Sequence, residues 1–294
     1  MRMKKILLTA VAILAIGCTK NDSLEELDSR EIKVVAEMAS RATMTAFESG
    51  DQMGLYAVEY VSDDAPLLQL GGNYLNNEPM SYDGTKWASN RKLYWSESPC
   101  DFYGIYPYQL LKSIDNILFE VKTDQSTPES EDALGGYEAS DLMWAKAVKV
   151  SRADGTVNLQ FHHMMSRVVV QVVKGERFEG NIPDDIVTHI YNTATTAKVD
   201  FRKGSLEKYA LSTNKTITMR KLDNENFDAI VVPQFIERTT PLIEITMGGI
   251  AYLLNYSMSF RPGYQHTITV TLNTSPDQEK IEIQIDGEVG GWQQ

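Results

Sequence analysis

The chain has 294 residues, with 28 Lys and Arg against 40 Asp and Glu, and a formal net charge of −12 at pH 7. An excess of that sign, spread along the chain, argues against nucleic acid and anionic lipid as partners. Two cysteines, Cys18 and Cys100, cannot supply a disulfide framework, so stability has to come from buried apolar cores.

The first residues, MRMKKILLTAVAILAIGCTKND, have the layout of an export leader. Arg2, Lys4 and Lys5 form a cationic start, and Ile6 to Ile16 is an apolar run too short to span a bilayer as a mature helix. It ends Leu14-Ala15-Ile16-Gly17-Cys18, which resembles a bacterial lipobox: a small residue precedes a thiol that takes a diacylglycerol thioether. The expectation is a leader over 1–17, lipidation at Cys18, and a chain held to a membrane only through its lipid. Removing the leader takes the net charge to about −15. Residues 19–31, TKNDSLEELDSRE, read as a solvated tether.

Next comes IKVVAEMASRATMTAFESGDQMGLY, residues 32–56: two strand-like runs joined by small and polar residues around Arg41. Such a joint is where proteolytic nicking concentrates. The first run alternates, with Ile32, Val34 and Ala36 on its apolar face and Lys33, Val35 and Glu37 on the other. A cut after Arg41 would free that strand and leave an unpaired sheet edge beside an apolar groove. A cut after Arg30 would leave it in place. Arg41 as an ordinary loop residue is the competing reading.

From Met53 onward the pattern is β. Short runs rich in Val, Ile, Tyr and Thr alternate with turn pairs such as Asp83-Gly84, Asp154-Gly155, Lys203-Gly204 and Pro262-Gly263. No segment holds a 3.6-residue period for three turns. This predicts an all-β chain of antiparallel sandwiches. Thr85–Trp95 reads as one strand, and 123–137 as a surface loop. The longest apolar run, Leu159 to Val173, has a bend near Ser166 and is the candidate crossover between two domains, 42–158 and 159–294, after a removable segment, 18–41. Near the end, Ile281, Ile283 and Ile285 share one strand face, followed by glycines and Trp292. This is either a strand offered to another subunit or the last strand of the second domain.

Enzyme chemistry finds little footing. The four histidines are His162, His163, His189 and His266; the adjacent pair on a strand points to opposite faces and cannot share a metal by local spacing. Nucleophile-elbow, zinc-protease and phosphate-loop patterns are all missing. Cys100 alternates with aromatics and reads as a buried small hydrophobe. The expectation is no enzyme, no cofactor and no metal.

Several motifs in order complete the reading. Arg41-Ala42-Thr43, Phe47-x-x-Gly50-Asp51 and Gly54-Leu55-Tyr56 come first; Leu93-Tyr94-Trp95, Asp101-Phe102-Tyr103-Gly104-Ile105-Tyr106-Pro107 and Asp141-Leu142-Met143-Trp144-Ala145 follow. The series continues with Phe161-His162-His163-Met164-Met165-Ser166, Val231-Val232-Pro233-Gln234, Phe260-Arg261-Pro262-Gly263-Tyr264 and the terminal Trp292. Together they resemble the fimbrillin-like proteins of the Bacteroidales. That resemblance implies two tandem transthyretin-like β-sandwich domains and a lipoprotein precursor at the outer membrane and cell surface. It also implies an arginine-specific surface protease that removes the N-terminal strand, and assembly with other pilus subunits by strand complementation into a type V fimbrium. On that reading Arg41 is the processing site, Ile32, Val34 and Ala36 lie on the leaving strand, and Ile281, Ile283, Ile285 and Trp292 are the donor candidate. The alternative is a monomeric surface lipoprotein that binds a glycan or a host protein on the same scaffold.

Overall fold

The computed structural model describes residues 30–38, 47–130 and 133–273, together with the backbone of 283–291. The first part of the chain supplies β1 (Val34–Met38), β2 (Gln52–Glu59), β3 (Leu75–Tyr82), β4 (Trp87–Ser89), β5 (Cys100–Tyr106), β6 (Ile117–Glu120), β7 (Met143–Val150) and β8 (Val157–His163). The middle supplies β9 (Ser166–Lys174), β10 (Val187–Ala194), β11 (Thr196–Asp200), β12 (Ser205–Lys208), β13 (Asn214–Thr218), β14 (Arg220–Lys221) and β15 (Asn226–Val231). The last part supplies β16 (Phe235–Ile236), β17 (Pro241–Met247), β18 (Ile250–Asn255), β19 (Met258–Ser259), β20 (Tyr264–Leu272) and β21 (Ile283–Gly291). Helical turns among the described residues are two three-residue 3-10 segments, Glu138–Ser140 and Arg152–Asp154. The all-β expectation holds.

The strands are not antiparallel throughout. The first sheet closes on itself as a barrel in the order β1-β4-β3-β2-β5-β7-β8. Downstream lie a five-stranded sheet β14-β15-β9-β20-β21, a four-stranded sheet β13-β10-β17-β18, a three-stranded sheet β12-β11-β6 and a two-stranded ribbon β16-β19. Among the described residues two ladders are parallel, β1 with β8 and β9 with β20. Each joins strands separated by long stretches of chain, so no tight hairpin dictates an antiparallel match. The run Leu159–Val173 divides at Met164 and Met165: β8 stays in the barrel and β9 starts the five-stranded sheet. β6, from the first half, pairs with β11 in the second.

Two apolar clusters explain the composition of the strands. One fills the barrel around Met53, Leu55, Phe102, Val157, Leu159 and Phe161. The other joins the outer faces of β2 and β5, through Tyr56, Tyr103 and Ile105, to Val168, Phe201, Phe227 and Ile243. β2 and β5 are therefore covered on both faces, which is why they read as continuous apolar runs. The second cluster is also tied by polar contacts: Trp144 Nε1 donates to the Phe201 carbonyl at 2.8 Å, and Arg202 Nε to the Leu68 carbonyl at 2.8 Å. Cys100 is a buried free thiol whose pKa burial pushes up to about 12, so it stays protonated and inert.

His266, on β20, sets a pH limit. Its ring is fully buried edge-on to Phe260, and Nε2 accepts the Arg261 backbone N–H at 3.0 Å. Burial lowers its pKa from 6.5 to about 4. Between those values the unfolded chain binds the proton and the folded chain does not. The stability due to this neutral ring is therefore complete above pH 6.5 and is lost as the pH falls toward 4. Urea midpoints taken from pH 7 down to 4.5 should fall for the native chain, and His266→Gln should flatten that slope; equal slopes would contradict this.

Candidate functional site

The strand that closes the barrel is the candidate site. β1 alternates as its sequence dictates: Ile32 and Val34 are buried, Ala36 and Met38 half-buried, and Lys33, Val35 and Glu37 exposed. On one side it runs parallel to β8 over five positions, from Val34 opposite Val157 to Met38 opposite Phe161. Just ahead of this ladder, the Val157 N–H reaches the Lys33 carbonyl at 2.8 Å. On the other side β1 meets β4 at a single pair, Val34 opposite Trp87. The chain before it is tied by Ile32 N–H to the Leu93 carbonyl at 2.8 Å, by Trp95 N–H to the Arg30 carbonyl at 2.9 Å, and by an exposed Lys92–Glu31 ion pair at 3.0 Å.

Where β1 and β4 part, a groove of about 500 Å³ opens, lined in part by Ile32, Val34, Met80, Trp87 and Leu93. Its apolar wall is continuous with the barrel cluster, which includes Val157, Leu159 and Phe161. Ile32 and Val34 contribute roughly 1.5–3 kcal/mol each by burial, and each ladder hydrogen bond roughly 0.5–1.5 kcal/mol. β1 is thus held by several kcal/mol, most of it through β8. Phe47, the first described residue after Met38, packs edge-on against Trp87, Tyr106 and Phe161 with ring centroids 5.0, 5.4 and 5.5 Å apart. It fixes the chain on the far side of the Arg41 joint to the barrel interior. Beside Met38 lies an acidic depression of about 250 Å³ lined by Glu48, Asp51, Glu129, Glu138 and Asp141 among others. There the Tyr106 hydroxyl donates to Asp51 at 2.7 Å, and burial followed by the neighbouring carboxylates raises the Glu129 pKa.

A chemical centre is harder to build. His163 is buried with Nδ1 2.8 Å from Asp141 Oδ1, while His162 on the opposite face is exposed. Among the described residues no three His, Cys, Asp or Glu side chains are placed to hold a metal ion. Among the same residues no helix is long and apolar enough to cross a membrane. The feature that stands out is therefore the closing strand itself, laddered on one side and nearly unpaired on the other.

The family model described as fimbrillin-like matches residues 40–292. The chain belongs to the fimbrillin-like family. A curated relative, described as "Putative fimbrium tip subunit Fim1C" of Bacteroides ovatus, is 29% identical over 206 residues. That match takes in 58% of this chain but only 36% of the relative, so the chain spans about a third of its length. Among solved structures, a "putative cell adhesion protein" of Bacteroides uniformis superposes with a TM-score of 0.67 at 19% identity, covering 89% of this chain and 98% of that one. A second so described, from Bacteroides ovatus, gives 0.68 at 16% identity, covering 90% and 98%. The tip fimbrial protein Mfa3 of Porphyromonas gingivalis gives 0.50 at 9% identity, covering 89% and 100%. These structural likenesses carry the fold. The descriptions of these relatives are all fimbrial or cell-adhesion ones.

The remaining sites expected of this fimbrillin-like chain are placed as follows. Cys18, Arg41, Ile281 and Trp292 lie outside the described residues. Ile283 and Ile285 belong to β21, which pairs antiparallel with β20 over nine positions, Ile283 opposite Leu272 and Ile285 opposite Val270. Sequence reasoning did not find Phe47, Trp87, Leu93, Leu159 and Phe161 as the surroundings of β1. The alternation in LQF was visible, but its pairing with a strand more than a hundred residues upstream was not.

Proposed function

We propose that this fimbrillin-like chain is a structural or adhesive subunit of a cell-surface type V pilus, built by strand exchange at the position β1 occupies. The observation that carries this is the asymmetry of the closing strand: a five-position ladder on β8, one pair on β4, and an open groove between β1 and β4. Lipidation at Cys18 holds the precursor at the outer membrane, an arginine-specific surface protease cuts after Arg41, and β1 departs. An extended strand from another subunit then takes up the free edge of β8 and fills the apolar groove with alternate side chains. The family match supports this reading, since it begins at residue 40 and leaves out β1, although β1 completes the barrel. Two tandem transthyretin-like sandwiches remain the finer fold reading within this proposal, the barrel counting as a sandwich whose open edge β1 covers.

β21 bears on which end of an assembly the chain occupies. A strand already laddered to β20 over nine positions is costly to give away. This favours a subunit that accepts a strand over one that donates, and so a terminal position, in keeping with the description of the Bacteroides ovatus relative. The monomeric reading, a surface lipoprotein that binds a glycan or host protein, would require residues 18–41 to stay on the mature protein.

Arg41→Ala tests the reading. The variant should stay a full-length monomer under protease treatment. The native chain should lose its N-terminal segment and, given a partner subunit, form complexes that survive a non-boiled gel. Intact mass locates the cut. A native chain that resists cleavage at Arg41, or is cleaved and binds no partner, would overturn strand exchange.

A further inference from the structure

Outer strands of a sheet expose unpaired backbone groups, and proteins guard them with charge. Most outer strands of the open sheets here follow that rule. β13 includes Lys215, β14 Arg220 and Lys221, β12 Glu207 and Lys208, β6 Glu120, and β21 Asp286 and Glu288. The ribbon β16-β19 has only two residues per strand. β18 is different. It is the six-residue outer strand of the four-stranded sheet and reads Ile-Ala-Tyr-Leu-Leu-Asn. No charged residue occurs from Ile250 through Phe260, in a chain that is 23% charged. Among the described residues its only ladder is with β17.

The two faces of β18 are unlike. Tyr252 and Leu254 lie opposite Ile245 and Ile243, which are buried, and share their core-facing side, yet each remains half-exposed because the sheet stops there. Leu253, opposite Glu244, points outward and is 54% exposed. An added strand would extend the sheet and cover Tyr252 and Leu254.

We infer that β18 is a pairing edge for a second copy of this chain, the two edges meeting antiparallel about a two-fold axis to make one continuous eight-stranded sheet. The argument for a copy is electrostatic and geometric. Net charge of −12 opposes self-association over most of the surface, whereas two β18 strands bring no like charges together. A register centred on Leu253 sets Tyr252 opposite Leu254 of the copy, keeping core-facing side chains on one face. Glu244, opposite Leu253 on each β17, would then stand three strand spacings from its copy, about 14 Å, beyond the screening length of about 8–10 Å. Each Glu244 also accepts a hydrogen bond from Tyr191 at 2.8 Å. A two-fold pairing closes on itself, so this contact yields a dimer and not a filament. It uses a strand remote in sequence from β1 and does not depend on strand exchange there.

The test is sedimentation of the full chain in mild detergent. The protein mass should be twice 33.0 kDa for the native chain and fall to 33.0 kDa for Leu253→Lys, with the same far-UV circular dichroism spectrum. A native monomer, or a dimer that survives Leu253→Lys, would overturn the inference; the second result would also be expected of a complex formed only at the β1 position. Should Leu253→Lys fail to fold, Leu253→Cys decides. Under mild oxidation it should form a crosslinked dimer beyond the native background, and its failure to do so counts against the pairing.

Discussion

Asp228→Ala is expected to cost the fold about 3–5 kcal/mol, the range for breaking a buried ion network by removing one member. Asp228 is fully buried in β15. One carboxylate oxygen, Oδ2, accepts from Arg167 Nη2 at 2.8 Å and Arg220 Nη2 at 3.0 Å, while Oδ1 accepts from Arg220 Nε at 2.9 Å. Arg220 also reaches Glu138 at 2.6 Å, and its guanidinium carbon sits 3.5 Å from the centroid of the Tyr137 ring. Without the carboxylate, two guanidinium groups are left together on a face that includes the buried Tyr137 ring and Val169. Asp228→Asn keeps an acceptor and should lose less, roughly 1–3 kcal/mol. Urea unfolding of both variants checks the order. A loss below about 1 kcal/mol for the alanine variant would show that solvent relieves the exposed charges.

Phe161→Ala is the second large effect, again about 3–5 kcal/mol. The ring is completely buried and is met edge-on by Phe47. It lies so close to β5 that a Cβ built on Gly104 would stand 2.5 Å from its tip, which is why that position in β5 has no side chain. Removing the ring opens a cavity beside Gly104 and Phe47, and β5 and β8 cannot close on it without disturbing their ladders. Gly104→Ala should destabilise from the opposite direction, by forcing the same ring out of place. Equilibrium denaturation measures both, and a Phe161→Ala loss of less than 1 kcal/mol would mean the barrel interior repacks freely.

Much of the fold could be read directly from local pattern. The alternation in β1, β17 and β20 and the apolar runs of β2 and β5 mark strands without reference to partners. β3 escaped because Asn76-Asn77-Glu78-Pro79 has the residues of a turn. In the structure those residues make an irregular strand: Asn77 has φ of 46°, the register against β2 slips between Leu55 and Ala57, and Asn77 Nδ2 is tied to the Gln109 carbonyl at 2.9 Å. Thr85–Trp95 looked like one strand because Leu93, Tyr94 and Trp95 are apolar, but only Trp87–Ser89 pairs as a strand, and Leu93 serves to receive Ile32. For the candidate site, the inward set Ile32, Val34 and Ala36 follows from alternation alone, whereas the walls of the groove come from β4 and β8. No local pattern states which edges meet, because that is decided by how the intervening strands twist and close. The Asp228 network was silent for the same reason, its two arginines lying 8 and 61 residues away.

The pairing of β1 with β8 also sets an order of events. Glu37 and its neighbour Gln160 are 123 residues apart, and the ladder between their strands cannot form until the chain through His163 is available. A polypeptide emerging from its N-terminus therefore exposes this strand first and docks it last, after β2, β5 and β7 have supplied the surface it completes. During that interval the apolar face of Ile32 and Val34 is without cover. Late docking of this kind leaves the strand a separable part of the finished body, joined to a structure that was already mostly assembled when it arrived.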